Sequence, residues 1–266
     1  MPASTKTESV KTIHLTPNEI RFYREEGYLY LPGVISPETV AALRDEVLQV
    51  LAAGNVWDGQ LGQTGGAKGK LYQSGQYLRN SALDGYINSD GLRSIAGQLM
   101  EGPSTLYMPF TAVKAGGGGG TFHFHQDNQY TRFDGPGINL WLALSPMSPE
   151  NGCLQVVPRS HQVGTLDGVD SPDGDGHRTV AADPTRFLPV RMNPGDLIAF
   201  TRLTIHGSGP NNTDEPRLAY AVQFHRDDVR AAWDGQPPRL LKGGNRWPAG
   251  PVDAVAAPDG KSRDGH

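Results

Sequence analysis

Apolar positions along the chain follow two rhythms. In the first hundred residues they recur with helical spacing. Thr16-Pro17-Asn18-Glu19 carries the marks of a helix start: a capping hydroxyl, a proline at the first helical position and a glutamate three residues after the cap. That helix is expected to run to about Glu26 and to stop at Gly27, with Tyr28-Leu29-Tyr30-Leu31 following as a short strand. Ser36-Pro37-Glu38 opens a second helix whose apolar face is Val40, Leu43, Val47 and Leu51, with Gly54 as its stop. Residues 55–80 read as a long loop, and Asp90 as the cap of a third helix that turns Leu92, Ile95 and Leu99 inward. From about residue 104 the pattern changes to short β-rich runs separated by turn signals. The expected strands are Thr105–Ala115, Thr121–His125, Ile138–Leu144, Cys153–Val157, Phe187–Arg191, Asp196–Phe200 and Arg217–His225. Many short strands at this spacing imply a sandwich or barrel. Residues 164–186 lack periodicity and read as an insertion loop.

Composition supports this division. The 34 glycines and 21 prolines favour frequent turns over a helical bundle. The expected organisation is a flexible N-terminus over 1–14, a single domain over 15–230 with a helical N-terminal part, and an irregular tail over 231–266. A net charge of −4 without a basic run excludes an evident nucleic-acid footprint. No segment has the ~20 apolar residues of a membrane span, and none resembles a signal peptide, so the expectation is a soluble, cytoplasmic protein. Cys153 is the only cysteine and lies in an apolar run, as a small buried hydrophobe would.

The chemistry concentrates in Phe122-His123-Phe124-His125-Gln126-Asp127. In extended backbone His125 and Asp127 share one face and can converge on one ion. His206, after the strand Asp196–Phe200 and before Gly207-Ser208-Gly209-Pro210, is the candidate third ligand. Two histidines and one carboxylate make the facial triad of non-haem iron(II) oxygenases, with positions left for a bidentate keto acid and O2. Zinc accepts the same ligand types, so these alone do not settle the metal. Arg217, eleven residues on, offers a planar fork that matches a carboxylate.

These stretches, with Glu150-Asn151-Gly152-Cys153-Leu154, Pro158-Arg159-Ser160-His161, Asn193-Pro194-Gly195-Asp196, His206-Gly207-Ser208 and Asn211 to Arg217, resemble the phytanoyl-CoA dioxygenase family of 2-oxoglutarate oxygenases. They occur in the family's order over about residues 105–226. The resemblance implies a mainly β fold, a double-stranded β-helix (a cupin-like jelly roll) with N-terminal helices packed on it. It implies Fe(II) on His125, Asp127 and His206, 2-oxoglutarate gripped by Arg217 with support from Ser208, and O2 as oxidant. The implied reaction is hydroxylation of an unactivated C–H bond of a small-molecule metabolite, releasing succinate and CO2. Desaturation and cyclisation stay open as outcomes. The rival reading is a cupin-like metal protein on the same barrel that makes no use of 2-oxoglutarate; Arg217 argues against it. Asp127 matters by its presence, because related halogenases carry a small residue there. Arg159 departs from the glycine that the family often has at its position.

Other residues are less determined. Lys114 is a candidate for the other end of the keto acid and equally for a solvated strand-edge lysine. Gln129, Tyr130, Trp141 and Arg159 are substrate candidates, with core packing as the equal alternative for Trp141 and a surface role as the default for Arg159. His123 is expected beside the ligands or packed in the sheet, His161 as an anchor of its turn, and His225 at a strand end. The pocket is expected to be built by the helices and by the 55–80 and 164–186 loops.

Overall fold

The computed structural model describes residues 10–53, 70–71, 76–173, 177–232, 237–240 and 250–252. Its helices are α1 (Pro17–Glu26), α2 (Pro37–Ala53), α3 (Ala82–Ile87) and α4 (Asp90–Met100). The capping box at Thr16 is formed: its amide donates to the Glu19 carboxylate at 2.7 Å and its hydroxyl accepts from the Glu19 amide at 3.2 Å. Gly27 closes α1 at φ 83°. Ser89, rather than Asp90, caps α4, and Leu92, Ile95 and Leu99 do turn inward. The short α3 has no counterpart in the sequence reading. Among the described residues no helix is long and apolar enough to cross a membrane.

The strands in chain order are β1 (Tyr28–Leu31), β2 (Lys70–Leu71), β3 (Gln76–Leu78), β4 (Ser104–Lys114), β5 (Phe122–His125), β6 (Arg132–Phe133), β7 (Gly137–Ala143), β8 (Gln155–Val156) and β9 (Val169–Asp170). They continue with β10 (Arg178–Thr179), β11 (Leu188–Pro189), β12 (Leu197–Thr201), β13 (His206–Ser208), β14 (Arg217–Arg226), β15 (Arg230–Ala232), β16 (Arg239–Leu240) and β17 (Gly250–Val252). The larger sheet has the order β1-β12-β7-β14-β4-β2 and the smaller one β11-β8-β13-β5, the two layers of a jelly roll.

Strands β7 and β14 are buried on both faces, and their alternation sorts two kinds of residue. Ile138, Leu140, Leu142, Leu218, Tyr220, Val222 and Phe224 face the helices in the larger core. Trp141, Ala143, Ala219 and Ala221 face the other way and pack with Val156 of the smaller sheet and with Leu154 just before it. The polar residues Asn139, Arg217, Gln223 and His225 share that inner register. The chemistry of the chain is thus carried on the inside of the roll.

Three expectations change. The 55–80 loop contains β2 and β3, with residues 54–69 and 72–75 outside the described residues. The segment after 231 contributes β16 and β17, the latter parallel to β3. Val10, in the stretch expected to be flexible, is fully buried in the core, because one apolar side chain suffices to tether a polar segment.

Candidate active site

Strand β5 delivers His125 and then stops. Asp127 does not continue it but opens a single 3-10 turn, Asp127–Gln129. Gln126 keeps an extended backbone, φ −114° and ψ 138°, so alternation still points His125 and Asp127 to one side, and the turn begins only with Asp127. Gln126, between them, is fully buried and acts as a clamp. Its Nε2 donates to the carbonyls of Gly164 (2.9 Å) and Leu203 (2.7 Å), and its Oε1 accepts from the Leu166 amide at 2.8 Å. Asn128 likewise turns outward, accepting from the Phe133 amide at 2.9 Å and donating to Thr165 Oγ1 at 2.7 Å. With both neighbours tied to surrounding loops, Asp127 is left facing inward.

His206 lies on β13, directly opposite His125 in the ladder between β13 and β5. The imidazole centroids are 4.4 Å apart, and His206 Nε2 is 3.7 Å from Asp127 Oδ1. One ligating atom from each of His125, Asp127 and His206 falls within 4.8 Å of the others. Gly207 permits this approach of the strands, since a Cβ there would lie 2.8 Å from the Phe122 carbonyl oxygen and 3.2 Å from Phe124 Cα.

The opposite side of each candidate ligand is held. His125 Nδ1 is 2.7 Å from the His123 carbonyl and His206 Nδ1 is 2.9 Å from the Thr204 carbonyl. A carbonyl only accepts, so each Nδ1 carries the proton and each Nε2 presents a lone pair. Burial, reinforced by the neighbouring His206, holds His125 down at about 3, so this imidazole stays neutral at physiological pH. Asp127 Oδ2 accepts from Gln223 Nε2 at 3.0 Å and from Asn139 Nδ2 at 3.3 Å, while Oδ1 faces His206. Such outer bonds fix the direction in which a metal ligand points.

A second cluster adjoins the first. Arg217 and Lys114 are register partners on β14 and β4, and both are buried. Arg217 donates to the carbonyls of Gly152 (2.7 Å) and Ala112 (3.1 Å) and sits 5.2 Å from the Trp141 ring. Its Nε is buried without a partner, and no acidic side chain pairs with it among the described residues. Burial pushes the guanidinium down to about 10. A cation in this setting calls for an anion from outside the chain. Lys114 Nζ donates to the carbonyls of Ser208 (3.2 Å) and Gly209, so the strand-edge alternative gives way to a fully buried lysine. Ser208 is buried on β13 beside it.

The remaining candidates divide. Tyr130 stands beside His125, ring centroids 5.8 Å apart, and Gln129 donates to the Leu166 carbonyl at 3.1 Å. Trp141 lies in the inner core beneath Arg217. Arg159 is not brought to the triad: at φ 64° it reaches outward, and its Nε and Nη2 donate to Glu26 Oε1 at 2.8 and 2.6 Å. His161 binds the Arg24 carbonyl at 2.9 Å, anchoring its turn to α1, and His123 pairs with Asp173 at 3.2 Å. The sequence reading passed over His177, whose Nδ1 is 3.2 Å from Tyr130 Oη and whose ring is 6.5 Å from that of His125. It also passed over Asn139, Gln223 and Arg202. A polar residue at an inward position of an otherwise apolar strand was the available signal for Asn139 and Gln223.

A family model described as phytanoyl-CoA dioxygenase matches residues 23–219. Methylphosphonate hydroxylase of Gimesia maris is 30% identical over 216 residues, covering 79% of this chain and 81% of that protein. Dioxygenase lolE1 of Epichloe uncinata is 27% identical over 233 residues, covering 80% and 84%. Among solved structures, EvdO2 from Micromonospora carbonacea var. aurantiaca complexed with 2-oxoglutarate aligns at a TM-score of 0.67 with 22% identity, covering 86% of this chain and 96% of that one. EctD from S. alaskensis with 2-oxoglutarate and 5-hydroxyectoine aligns at 0.64 with 17% identity, covering 94% and 91%. At these identities the structural matches establish the shared fold.

Proposed function

The chain belongs to the phytanoyl-CoA dioxygenase family of iron- and 2-oxoglutarate-dependent oxygenases, and on that premise we propose that it hydroxylates a C–H bond of a small-molecule metabolite. His125, Asp127 and His206 hold Fe(II) in this reading. Arg217 grips the distal carboxylate of 2-oxoglutarate, with Ser208 and Lys114 beside it. The observation that carries the assignment is the convergence of three ligating atoms within 4.8 Å, each backed by hydrogen bonds on its far side.

The donor set fits the metal, and the partnerless Nε of Arg217 fits a dicarboxylic co-substrate. Iron bound there would couple oxidative decarboxylation of 2-oxoglutarate, giving succinate and CO2, to transfer of one oxygen atom of O2 into the substrate. The protein's part is placement. The His123 and Thr204 carbonyls keep both imidazoles in the ligating tautomer, and Gln223 and Asn139 leave Asp127 Oδ1 free for the metal. Trp141, Phe200 and Ala219 pack the inner face against water. Ala112, Ala143, Ala219 and Ala221 keep the inner face small next to Arg217. Tyr130 and His177, beside His125, are the described side chains best placed to meet the primary substrate. A relative named for methylphosphonate hydroxylation supports a small polar metabolite.

Asp127→Ala decides the metal assignment. The variant is expected to lose Fe(II) binding and substrate-dependent succinate release, screened over a metabolite library under Fe(II) loading. Wild-type iron affinity in that variant would refute the triad.

A further inference from the structure

Arg202 follows β12, four residues before His206, and is buried with no acidic partner among the described residues. Its guanidinium stands 4.1 Å from the Phe133 ring centroid and 5.1 Å from that of Tyr107. Nη1 donates to Gln223 Oε1 at 2.6 Å, and Nη2 to the carbonyls of Asp127 (2.8 Å) and Thr131 (3.2 Å). In return, the Arg202 carbonyl accepts from the Asn128 amide at 3.1 Å. One side chain thus ties the turn that carries Asp127 to the strand that leads into His206.

The consequence lies in the Gln223 amide. An arginine has donors and no acceptor, so the Gln223 atom facing it must be the carbonyl oxygen. The amide nitrogen is thereby turned toward Asp127 Oδ2, 3.0 Å away. Without Arg202 the amide is free to flip and set an oxygen against the carboxylate. Asn139, the other donor to Oδ2, lacks this control: its bond is longer, 3.3 Å, and its own Oδ1 is buried without a partner. In a buried site a wrongly turned dipole is felt at nearly full strength.

We infer that Arg202 and Gln223 form a positioning pair for Asp127, in which Arg202 sets the polarity of the Gln223 amide and the amide fixes which carboxylate oxygen is presented to iron. This rests on the reading of Asp127 as an iron ligand. The pair acts on the metal through Asp127, by way of its carboxylate and, from Arg202, its backbone carbonyl.

The test is anaerobic titration of the purified apo protein with Co(II), whose d–d absorption reports ligand geometry, alongside thermal unfolding without metal. Gln223→Leu is expected to weaken Co(II) binding by about 10- to 100-fold and to change the d–d band. Arg202→Met is expected to do the same, with Arg202→Lys between it and wild type. The double variant Arg202→Met/Gln223→Leu is expected to lie within about threefold of the weaker single variant, since both act along one chain. A purely structural role would instead lower apo stability and leave the Co(II) affinity and spectrum of the folded protein unchanged. That result, or a double variant equal to the product of the singles, would overturn the inference. If Arg202→Met does not fold, Gln223→Leu and Arg202→Lys decide. Asp127→Ala run in parallel separates the two levels. Wild-type Co(II) binding there removes the triad, whereas its loss there with full retention in Gln223→Leu removes only the positioning pair.

Discussion

Replacing Arg217 by methionine tests the co-substrate anchor. Of the guanidinium's five N–H donors, two are spent on the Gly152 and Ala112 carbonyls, which leaves three for a ligand. Hydrogen bonds to charged groups contribute about 1.5–3 kcal/mol. Near the upper end this is about a hundredfold in 2-oxoglutarate affinity. Burial lowers Arg217 to about 10, which leaves it protonated at neutral pH, a buried cation whose standing cost is on the order of 3 kcal/mol and which an arriving carboxylate offsets. The assay is thermal unfolding of the metal-loaded protein with and without 2-oxoglutarate. At a hundred times its dissociation constant the co-substrate stabilises wild type by about 2.7 kcal/mol; a hundredfold weaker site keeps about 0.4 kcal/mol. At roughly 2–4 °C per kcal/mol for a chain of this size, the shift falls from about 5–10 °C to about 1 °C. A keto acid without the distal carboxylate, such as 2-oxobutanoate, is expected to shift both proteins equally. An unchanged 2-oxoglutarate shift in Arg217→Met, or equal weakening of both keto acids, would refute the anchor.

Three further outcomes are expected. Arg159→Gly relieves a left-handed backbone at a cost of one exposed ion pair, so unfolding temperature should stay within about 2 °C and turnover should match wild type; a large rise in KM for the primary substrate would restore Arg159 as a recognition residue. Gly207→Ala pushes β13 off β5 beside His206 and should weaken Fe(II) binding about tenfold in equilibrium titration; wild-type affinity would show that the strands separate without moving the ligand. Burial first, and Arg202 nearby, lower the pKa of His225 below 6.5, so its contribution to stability is fully present above that pH and is lost as pH falls through the window beneath it. Urea unfolding of the apo protein between pH 7 and 5.5 should therefore show a smaller acid loss in His225→Gln than in wild type, and equal losses would remove His225 from the account.

The ends of several elements, and the residue types gathered as candidate ligands at His125, Asp127 and His206, were legible in the residues alone because their signals are local. A capping box, a left-handed glycine and the alternation of β14 need only a few neighbours in sequence to act. The shared face of His125 and Asp127 was legible too, since Gln126 between them keeps an extended backbone; the clamp by its side chain, which bonds to residues 38 to 77 positions away, was not. For Arg159 a surface role was the default expectation, and the residue types of its turn leave open the direction in which the side chain points. Here that direction is set by Glu26 on α1.

The residue types available to the site, and the alternation that places Asn139, Arg217 and Gln223 inside the roll, are properties of short stretches of chain. The register that sets His206 opposite His125, the pairing of Lys114 with Arg217, and the path from Arg202 through Gln223 to Asp127 come into being when the chain folds. These are contacts between strands distant in the chain. Their geometry depends on the sheet as a whole, and no local pattern encodes it.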